Sequence, residues 1–550
     1  MNQLKQQPNW TLYSIFAAIG IVIYLVVQVL PSTAQSFFDA GTSGIIAKSA
    51  AEEAADEFVQ AHFGQKPAST HAIHQSNQLL YGYLSKEKLF DQYGEKYDDR
   101  FPTDTFQVNT EMPDDSKLFI YVHMETGKVV SWNRYRAVDT DLLGSKEQFD
   151  AAMDFAEEQG FQRDALKTSK LNTLTGAVWL EVKGAKAGEA PLILKIRSEK
   201  VKGDQSIVIS EYKPTFKVPE AYESYVDKQT SIGLWLSIGG SMFLSFVLFV
   251  LAIIYAAIYR KHTSFKRGIL LTVIFLGFYM ANNFNMMDGI LAELGEQLDV
   301  GAMMIFNMAF TAVVTVLLAA AVYFSVIGGD GLWRSMGRRL WPRSGEAGYG
   351  DHVWRSMWLG YLAAFSLLGL QTVIFIVWNG ITGAWSTSDV TQSPYNLAAP
   401  WLFPVLAWCA AISEEAVFRL FGIGLMKRWF KNTFVAALIP TIIWALGHVT
   451  YPIFPATTRL VELTILGLLF SFLFLRYGFI MTVFTHAIFN SVMMAISLMF
   501  MGSFGNILWG IFYIVLPIPI AWLIRMWDRR IPDDKRKQPV PVLEPDQAAT

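Results

Sequence analysis

The stretch that decides the fold is GFIMTVFTHAIFNSVMMAISLMF, residues 478–500, in which His486 is the only ionisable side chain. About 20 apolar residues are enough for a helix to cross the hydrocarbon core of a bilayer. An ionisable group inside a membrane helix costs several kcal/mol and is usually retained for function. The run therefore predicts a membrane helix with His486 as a candidate functional residue.

Two apolar segments upstream carry polar clusters of the same kind. One contains Glu414, Glu415 and Arg419, and the other contains His448. The chain has 8 histidines, and only His448 and His486 fall in segments that we expect to be membrane helices. We expect the three clusters to converge at one depth inside the membrane.

The composition indicates that the chain contains two kinds of region. Of the 550 residues, 52% are hydrophobic and 17% are charged, which is too apolar for an average soluble protein and too charged for a chain that lies in the membrane throughout. Most acidic residues lie between positions 34 and 227, so we expect one soluble and one polytopic domain. The net charge of -2 gives no reason to expect nucleic-acid binding. The single cysteine, Cys409, is predicted to pack inside a membrane helix.

The predicted fold is an all-α polytopic membrane helix bundle of about ten spans with an inserted α+β domain. The expected spans are 10–30, 233–258, 268–288, 301–327, 356–380, 396–426, 433–451, 459–475, 478–500 and 504–524. The predicted domains are an N-terminal membrane anchor (1–33), an extracytoplasmic α+β domain (34–228), additional membrane helices (229–380), a catalytic membrane core (381–526) and a cytoplasmic tail (527–550). We favour an uncleaved anchor over a signal peptide cut after Ser32-Thr33-Ala34, because the apolar run is longer than a usual signal h-region.

The basic loops predict the orientation. They cluster near residues 260–267, 334–343 and 427–431 and in the tail after 525, whereas the intervening loops are acidic or neutral. The positive-inside rule places the basic loops and both termini in the cytoplasm, and residues 34–228 outside. We expect a multi-pass protein of the plasma membrane, bacterial in type because the outer domain lacks disulfides.

Residues 34–228 show an order of elements that is repeated. A helix near 50–62 precedes a hairpin at 117–132, and a second helix near 146–158 precedes strands at 177–182, 192–196 and 205–211. This order indicates a weak internal duplication. It is similar to PepSY-type modules, and two PepSY-like units are the expectation for this domain.

The residue types in the three clusters suit peptide hydrolysis. Residues four apart share a helical face, so Glu415 can pair with Arg419, and His486 can face the same cavity as Asn490. A carboxylate beside an imidazole can activate water, while a histidine and an amide can stabilise an oxyanion. A zinc ion held by Glu414, His448 and His486 is the alternative, and the spacing does not choose between them.

These motifs, in this order, resemble the CAAX protease and bacteriocin-processing (CPBP) family of intramembrane endopeptidases, which are type II CAAX prenyl endopeptidase-like and grouped with metalloproteases. The resemblance is carried by Glu-Glu-x-x-x-Arg at 414–419, an aromatic residue four before a histidine at 444–448, and His-x-x-x-Asn at 486–490. Two positions depart from the family pattern. Trp444 stands where phenylalanine is usual, and Leu420 replaces a common glycine and could narrow the substrate path.

The resemblance implies a role for each site residue. Glu414 would activate water with help from His448, His486 and Asn490 would form the oxyanion site, and Glu415 and Arg419 would orient the others. It implies cleavage of a membrane-associated or small peptide, with or without zinc. The partners expected are a peptide or protein substrate, the lipid bilayer and an extracytoplasmic protein. The alternative is a catalytically silent scaffold or receptor whose outer domain binds a partner.

Other polar residues in the predicted spans are expected to be structural. Asn282, Asn283, Asn285 and Asp288 lie near the outer end of a span, where interfacial solvation would explain them. Arg459 and Glu462 are expected to form an interfacial ion pair.

Overall fold

A computed structural model describes residues 8–30, 44–135, 140–172, 174–202 and 206–532. It contains a sheet domain, formed by the described residues between 44 and 219, and a helical domain, formed by residues 8–30 and 220–532. The site Ser32-Thr33-Ala34 considered for signal cleavage lies outside the described residues.

The described part of the sheet domain contains one antiparallel sheet of nine strands with helices packed on it. Its helices are α2 (Lys48–Phe63), α3 (Gln78–Glu87), α4 (Phe90–Tyr93) and α5 (Ser145–Glu158), preceded in the chain by α1 (Trp10–Tyr24) of the helical domain. Its strands are β1 (Ser69–Ser76), β2 (Asp104–Glu111), β3 (Lys117–His123), β4 (Val129–Tyr135), β5 (Thr140–Leu142), β6 (Leu166–Asn172), β7 (Ala177–Ala187), β8 (Ala190–Val201) and β9 (Ile207–Phe216). The predicted hairpin, both predicted helices and the three later strands are confirmed, although the strands are longer than predicted.

The sheet is built from two halves of the same order. In each half a helix precedes four antiparallel strands, and the spatial order is β1-β2-β3-β4-β9-β8-β7-β6, with β5 beside β8. The halves meet where Trp132 of β4 lies opposite Tyr212 of β9. Helix α2 packs on the first half and α5 on the second. Trp132 contacts both Phe155 and Tyr212, with ring centroids 5.8 and 5.3 Å away, so one apolar core joins the halves. The duplication predicted from the sequence agrees with this order, and a PepSY-like identity stays a prediction.

The helical domain follows directly from β9. Its further helices are α6 (Glu220–Trp235), α7 (Phe243–Ile258), α8 (Ile269–Asn285), α9 (Met287–Leu294), α10 (Val300–Ser335), α11 (Tyr349–Thr382), α12 (Val405–Glu414), α13 (Gly424–Phe430), α14 (Thr433–Leu446), α15 (Thr457–Tyr477), α16 (Phe479–Met499), α17 (Phe504–Val515) and α18 (Pro517–Arg529). Wider π-helical turns continue α1 to Val29, join α6 to α7 and join α12 to α13. Two short strands, β10 (Trp385–Ser386) and β11 (Ile453–Phe454), pair as a ribbon.

Several helices can cross a membrane. Within the described ranges, 7 helical segments are long and apolar enough to do so, and up to 9 if each of two bent pairs is one span. The segment predicted as a tenth span, 433–451, forms the helix Thr433–Leu446 of 14 residues. At about 1.5 Å per residue this helix alone is shorter than about 30 Å of hydrocarbon, and the residues after Leu446 continue the chain to β11, which packs with the sheet domain. The predicted span at 233–258 belongs to a helical segment that begins already at Glu220.

The sheet domain rests on one end of the helical domain through polar contacts. Glu296, in the loop before α10, accepts hydrogen bonds from Tyr121, Asn133, Tyr135 and Lys213 at 2.7 to 3.2 Å. Burial raises the pKa of the Glu296 carboxyl, but the Lys213 charge and these hydrogen bonds outweigh it and hold the pKa below its usual range.

Two further polar contacts join the domains. Asp288 pairs with Lys48 at 2.7 Å and with His71 at 2.9 Å. Asn396, fully buried, accepts a hydrogen bond from the His74 backbone N–H at 2.7 Å and donates to the His74 carbonyl at 2.8 Å. The side chain of Asn396 thus pairs with the edge strand β1 as a neighbouring strand would.

The polar residues at the end of α8 are structural, as predicted, but solvation does not explain them all. Asn282 and Asn285 are each 3% exposed. Asn285 Oδ1 accepts a hydrogen bond from the Ala399 backbone at 2.6 Å, and Asn283 donates to Thr315 at 2.7 Å. Hydrogen bonds between segments therefore hold Asn283 and Asn285.

Candidate active site

The first cluster sits where a helix changes its winding. Glu414 ends α12, and Glu415 begins a π-helical turn that runs to Ile423 before α13 continues. Such wide turns inside helices are frequent at functional sites, because they rotate the following side chains relative to a regular helix. The change of winding places the two adjacent glutamates in different surroundings.

Glu415 is fully buried and holds two partners. Its Oε1 lies 3.1 Å from Arg419 Nη1, which confirms the predicted pair. The same oxygen lies 2.8 Å from His486 Nδ1. Because an ionised carboxylate only accepts, His486 Nδ1 carries a proton in this contact, and Nε2 is the ring nitrogen that lies toward Glu414.

Arg419 is held by aromatic faces. Its guanidinium lies 4.3 Å from the ring centroid of Trp444 and 5.5 Å from that of Phe470. The side chain is 1% exposed, and none of its three nitrogens has a hydrogen-bond acceptor among the described residues. Cation–π contact and the charge of Glu415 therefore stabilise Arg419 where hydrogen bonds do not.

Glu414 faces the cavity. The indole N–H of Trp444 donates to Glu414 Oε2. His486 Nε2 lies 3.8 Å from the same oxygen. Glu414 Oε1 has no hydrogen bond to any residue in the described ranges, and the side chain keeps 21% exposure. One carboxylate oxygen is thus fixed and the other is open.

His448 lies beside Trp444. Its Nδ1 donates to the Trp444 carbonyl at 3.0 Å, and Nε2 has no hydrogen bond to the described residues. The ring centroids of Trp444 and His448 are 5.2 Å apart. Within the part of the chain that is described, no hydrogen bond or ion pair joins His448 to Glu414. Asn490 lies one turn beyond His486, half-buried, and hydrogen-bonds to none of the described residues.

The two departures from the family pattern have different surroundings. Leu420 is fully buried and packs against Gly329 of α10, where an added Cβ would lie 2.8 Å from Leu420 Cγ. The side chain thus belongs to the packing between helices, and its effect on a substrate path stays a prediction. Trp444 does more than line the cavity, since it also donates a hydrogen bond to Glu414.

The zinc alternative stays a prediction. Among the residues that the structure describes, no three His, Cys, Asp or Glu side chains are placed to hold one metal ion. Glu414, His448 and His486 all lie around the Trp444 ring.

The comparison with family models covers the part of the chain that carries these residues. Residues 396–492 match the model described as type II CAAX prenyl endopeptidase Rce1-like. Residues 396–492 are an Rce1-like segment. The match is consistent with the CPBP resemblance of the three motifs. No curated protein and no solved structure matches the chain.

The Rce1-like segment brings most predicted site residues together. Glu414, Glu415, Arg419, His448 and His486 lie around one aromatic cluster formed by Trp444 and Phe470. Sequence reasoning missed the bond from Glu415 to His486 and the donor role of Trp444. The signal available for Trp444 was the indole itself, since phenylalanine at this position has no N–H to donate.

Arg459 and Glu462 form the predicted ion pair near this segment. Arg459 Nη1 lies 2.8 Å from Glu462 Oε2, and Gln371 donates to Glu462 Oε1 at 2.8 Å. Glu462 is 2% exposed, so the pair is buried on its acidic side. The Arg459 guanidinium lies 5.3 Å from the Tyr451 ring, whose centroid is 5.3 Å from that of His448.

Proposed function

We propose that this protein is a membrane-embedded endopeptidase that hydrolyses a peptide bond of a membrane-associated or small peptide. The observation that carries the proposal is the convergence of Glu414, His448 and His486 around Trp444, inside the segment that matches the Rce1-like model. A carboxylate with one open oxygen and two histidines with free Nε2 atoms are the groups that hydrolysis needs.

The reaction begins at the open oxygen of Glu414. Oε1 takes a proton from a water molecule as that water attacks the scissile carbonyl carbon. His448, whose ring centroid lies 5.2 Å from that of Trp444, orients the same water through Nε2. When the tetrahedral intermediate collapses, Glu414 returns the proton to the leaving amine and the peptide bond is broken. Water supplies both the hydroxyl and the proton, so no covalent enzyme intermediate forms.

The negative charge on the carbonyl oxygen is met by the Asn490 amide and by His486, which donates from Nε2 when both of its ring nitrogens carry protons. The two residues share one face of α16, and His486 is fixed in orientation by its Nδ1 bond to Glu415. Donors aimed in advance at a developing oxyanion lower the barrier more than donors that must reorganise. Glu415 and Arg419 hold this arrangement from behind.

The location belongs to the same proposal. We place the protein in the plasma membrane of a bacterial-type cell, with both termini in the cytoplasm and the sheet domain outside, where it binds a protein partner. Supporting this, the loops that contact the sheet domain are at one end, whereas Arg338, Arg343 and Arg525 contact the opposite loops and helix ends. The alternative of a catalytically silent scaffold is not favoured.

The test compares peptides in cells that make wild type, Glu414→Gln or Glu293→Gln at matched abundance. Glu293 is an exposed glutamate on α9, and its substitution controls for the loss of a carboxylate outside the site. Mass spectrometry of membrane and secreted peptides reads the outcome. We expect peptides that shorten with wild type and Glu293→Gln and stay full-length with Glu414→Gln. Identical peptide sets in all three strains would contradict the proposal.

A further inference from the structure

Trp444 contacts residues from all three polar clusters. Its indole N–H donates to Glu414, and its ring carries the Arg419 guanidinium at 4.3 Å. Its carbonyl accepts from His448 Nδ1 at 3.0 Å, and its ring centroid lies 6.3 Å from that of His486. The residue is 4% exposed, so all these contacts are shielded from bulk solvent. One side chain thus connects the groups of all three helices.

The packing leaves room for an indole at this position. Gly467 of α15 lies against the ring, and a Cβ added there would stand 2.9 Å from Trp444 Cζ3 and 2.6 Å from Thr441 Cγ2. Real Cβ atoms do not approach so closely, because interiors are already close-packed. The absence of a side chain at Gly467 therefore lets the indole seat with its N–H toward Glu414.

We infer that Trp444 is the positioning residue of this site. Its N–H holds Glu414 Oε2 and so selects the rotamer in which Oε1 faces the cavity. Its carbonyl holds His448 Nδ1 and so directs Nε2 to the same side. A phenylalanine would keep the ring beside Arg419 and the backbone carbonyl, but it would release the glutamate. Fixing a reacting group in advance contributes to the rate, because the group need not be ordered in the transition state.

The hydrogen bond is tested without any substrate. Full-length protein labelled with ¹⁵N-tryptophan in lipid nanodiscs gives one indole signal for each tryptophan, and Trp444→Phe identifies the signal of residue 444. In Glu414→Ala we expect the Trp444 proton signal to move upfield, because the acceptor is gone. The indole of Trp333 donates to the Leu420 carbonyl at 2.8 Å and its signal should stay in place. A Trp444 signal that is the same in wild type and Glu414→Ala would overturn the inference.

The effect on rate rests on the proposed function and uses the peptide that the preceding comparison identifies. A hydrogen bond to a charged group corresponds to about 10- to 100-fold, so we expect Trp444→Phe to lower kcat by that factor with KM unchanged. Trp333→Phe removes the hydrogen bond that the buried Trp333 indole of α10 donates to Leu420 in the π-helical turn, outside the site, and it should leave kcat unchanged in the folded fraction.

The outcomes separate the two ideas. If Glu414→Ala is inactive while folded Trp444→Phe has the wild-type kcat, Trp444 does not position the carboxylate and the endopeptidase stands. If Glu414→Ala is fully active, the proposed function fails, and the indole signal still decides whether the hydrogen bond exists. Equal losses of kcat in Trp444→Phe and Trp333→Phe would mean that Trp444 contributes only packing, and would overturn the inference.

Discussion

Glu296 and Glu414 are two carboxylates with similar burial and opposite hydrogen bonding. Their side chains are 15% and 21% exposed. Glu296 accepts from four donors, two on each oxygen, all supplied by the sheet domain. Glu414 accepts from one donor, on one oxygen. Burial does not distinguish the two glutamates, and the number of donors does.

The difference suits two roles. Glu296 joins the sheet domain to the helical domain, whereas Glu414 is the proposed acceptor of a proton from water. A carboxylate with all its lone pairs used stabilises the fold and has no oxygen for a water molecule. A carboxylate with an unused oxygen stabilises the fold less but can take a proton. The cations beside the glutamates differ in the same way. Lys213 donates a hydrogen bond to Glu296, whereas Arg419 is buried beside Glu415 without a hydrogen bond to the described residues.

The largest expected effect comes from Glu414→Gln. We expect peptide cleavage to fall by roughly 100- to 10,000-fold, the range for losing a general base. The free energy of unfolding should change by less than about 1 kcal/mol, because glutamine keeps an oxygen that accepts from Trp444. Cleavage rates and thermal unfolding in detergent measure the two. A Glu414→Gln protein that is strongly destabilised but still cleaves peptides would show that Glu414 stabilises the fold and is not the general base.

Glu296→Gln should show the opposite pattern. Replacing the charge weakens the bond to Lys213 and turns an acceptor into a donor facing hydroxyl and amide groups. We expect a loss of about 1 to 3 kcal/mol in the free energy of unfolding, with cleavage unchanged in the folded fraction. Glu293→Gln on the preceding helix is the matched control, because Glu293 is exposed and, among the described residues, accepts a hydrogen bond only from Thr391, at 3.2 Å. Unchanged unfolding in Glu296→Gln would argue against a fastening role.

Gly329→Ala tests how firmly the segment that carries Glu415 is packed. The new Cβ would lie 2.8 Å from both the carbonyl carbon and Cγ of Leu420, so the π-helical turn must shift. Overpacking of this kind costs about 1 to 3 kcal/mol. In Gly329→Ala with Leu420→Gly we expect a loss smaller than the sum of the two single losses, because removing the Leu420 side chain relieves one of the close contacts. Thermal unfolding gives the values. Gly277→Ala, in a helix with open space around the residue, is the control and should not destabilise.

The smallest expected effect is the pH dependence at His71. The hydrogen bond to Asp288 raises the pKa of His71; burial and the charge of Lys48 oppose this, and Glu52 supports it. A raised pKa means that the contact contributes its full stability below the ordinary value, about 6.5, and loses it as pH rises through the raised value. The side chain is 52% exposed, so solvent screening keeps the effect small.

Hydrogen–deuterium exchange reads this contact directly. After correction for intrinsic rates, we expect less protection of residues 286–296 above the raised pKa than below it. His71→Gln should remove that difference and leave the protection around Glu296 as it is. A pH dependence that persists in His71→Gln would assign it to another group.

Much of the fold follows from local sequence. Long apolar runs predict the helices, because a membrane helix needs about 20 such residues, and alternation predicts the β3–β4 hairpin. Strand β1 and helix α3 were not predicted, since both are short and their burial depends on partners far along the chain. Helix α6 was missed as well, although Pro219 followed by Glu220 and Glu223 is typical of a helix start.

The sequence named the residues of the candidate site but did not predict the hydrogen bonds between them. Spacing of four placed Glu415 beside Arg419, and motif order suggested that three helices meet. Nothing local could show that His486 bonds Glu415, because the two residues are 71 positions apart. The acidic loop that contains Glu296 indicated only an orientation, since its donors lie in the sheet domain.

The β10–β11 ribbon makes the two domains inseparable. Trp385 and Phe454 stack at 5.7 Å and belong to the apolar core that includes Tyr222 and the sheet. A chain truncated to begin at Glu220 would present this aromatic pair to water and leave Asn396 without the backbone it pairs with. Since Ile453 follows His448 by only five residues, the damage would begin close to the candidate site. The helices that carry the candidate site therefore depend on the sheet domain for part of their packing.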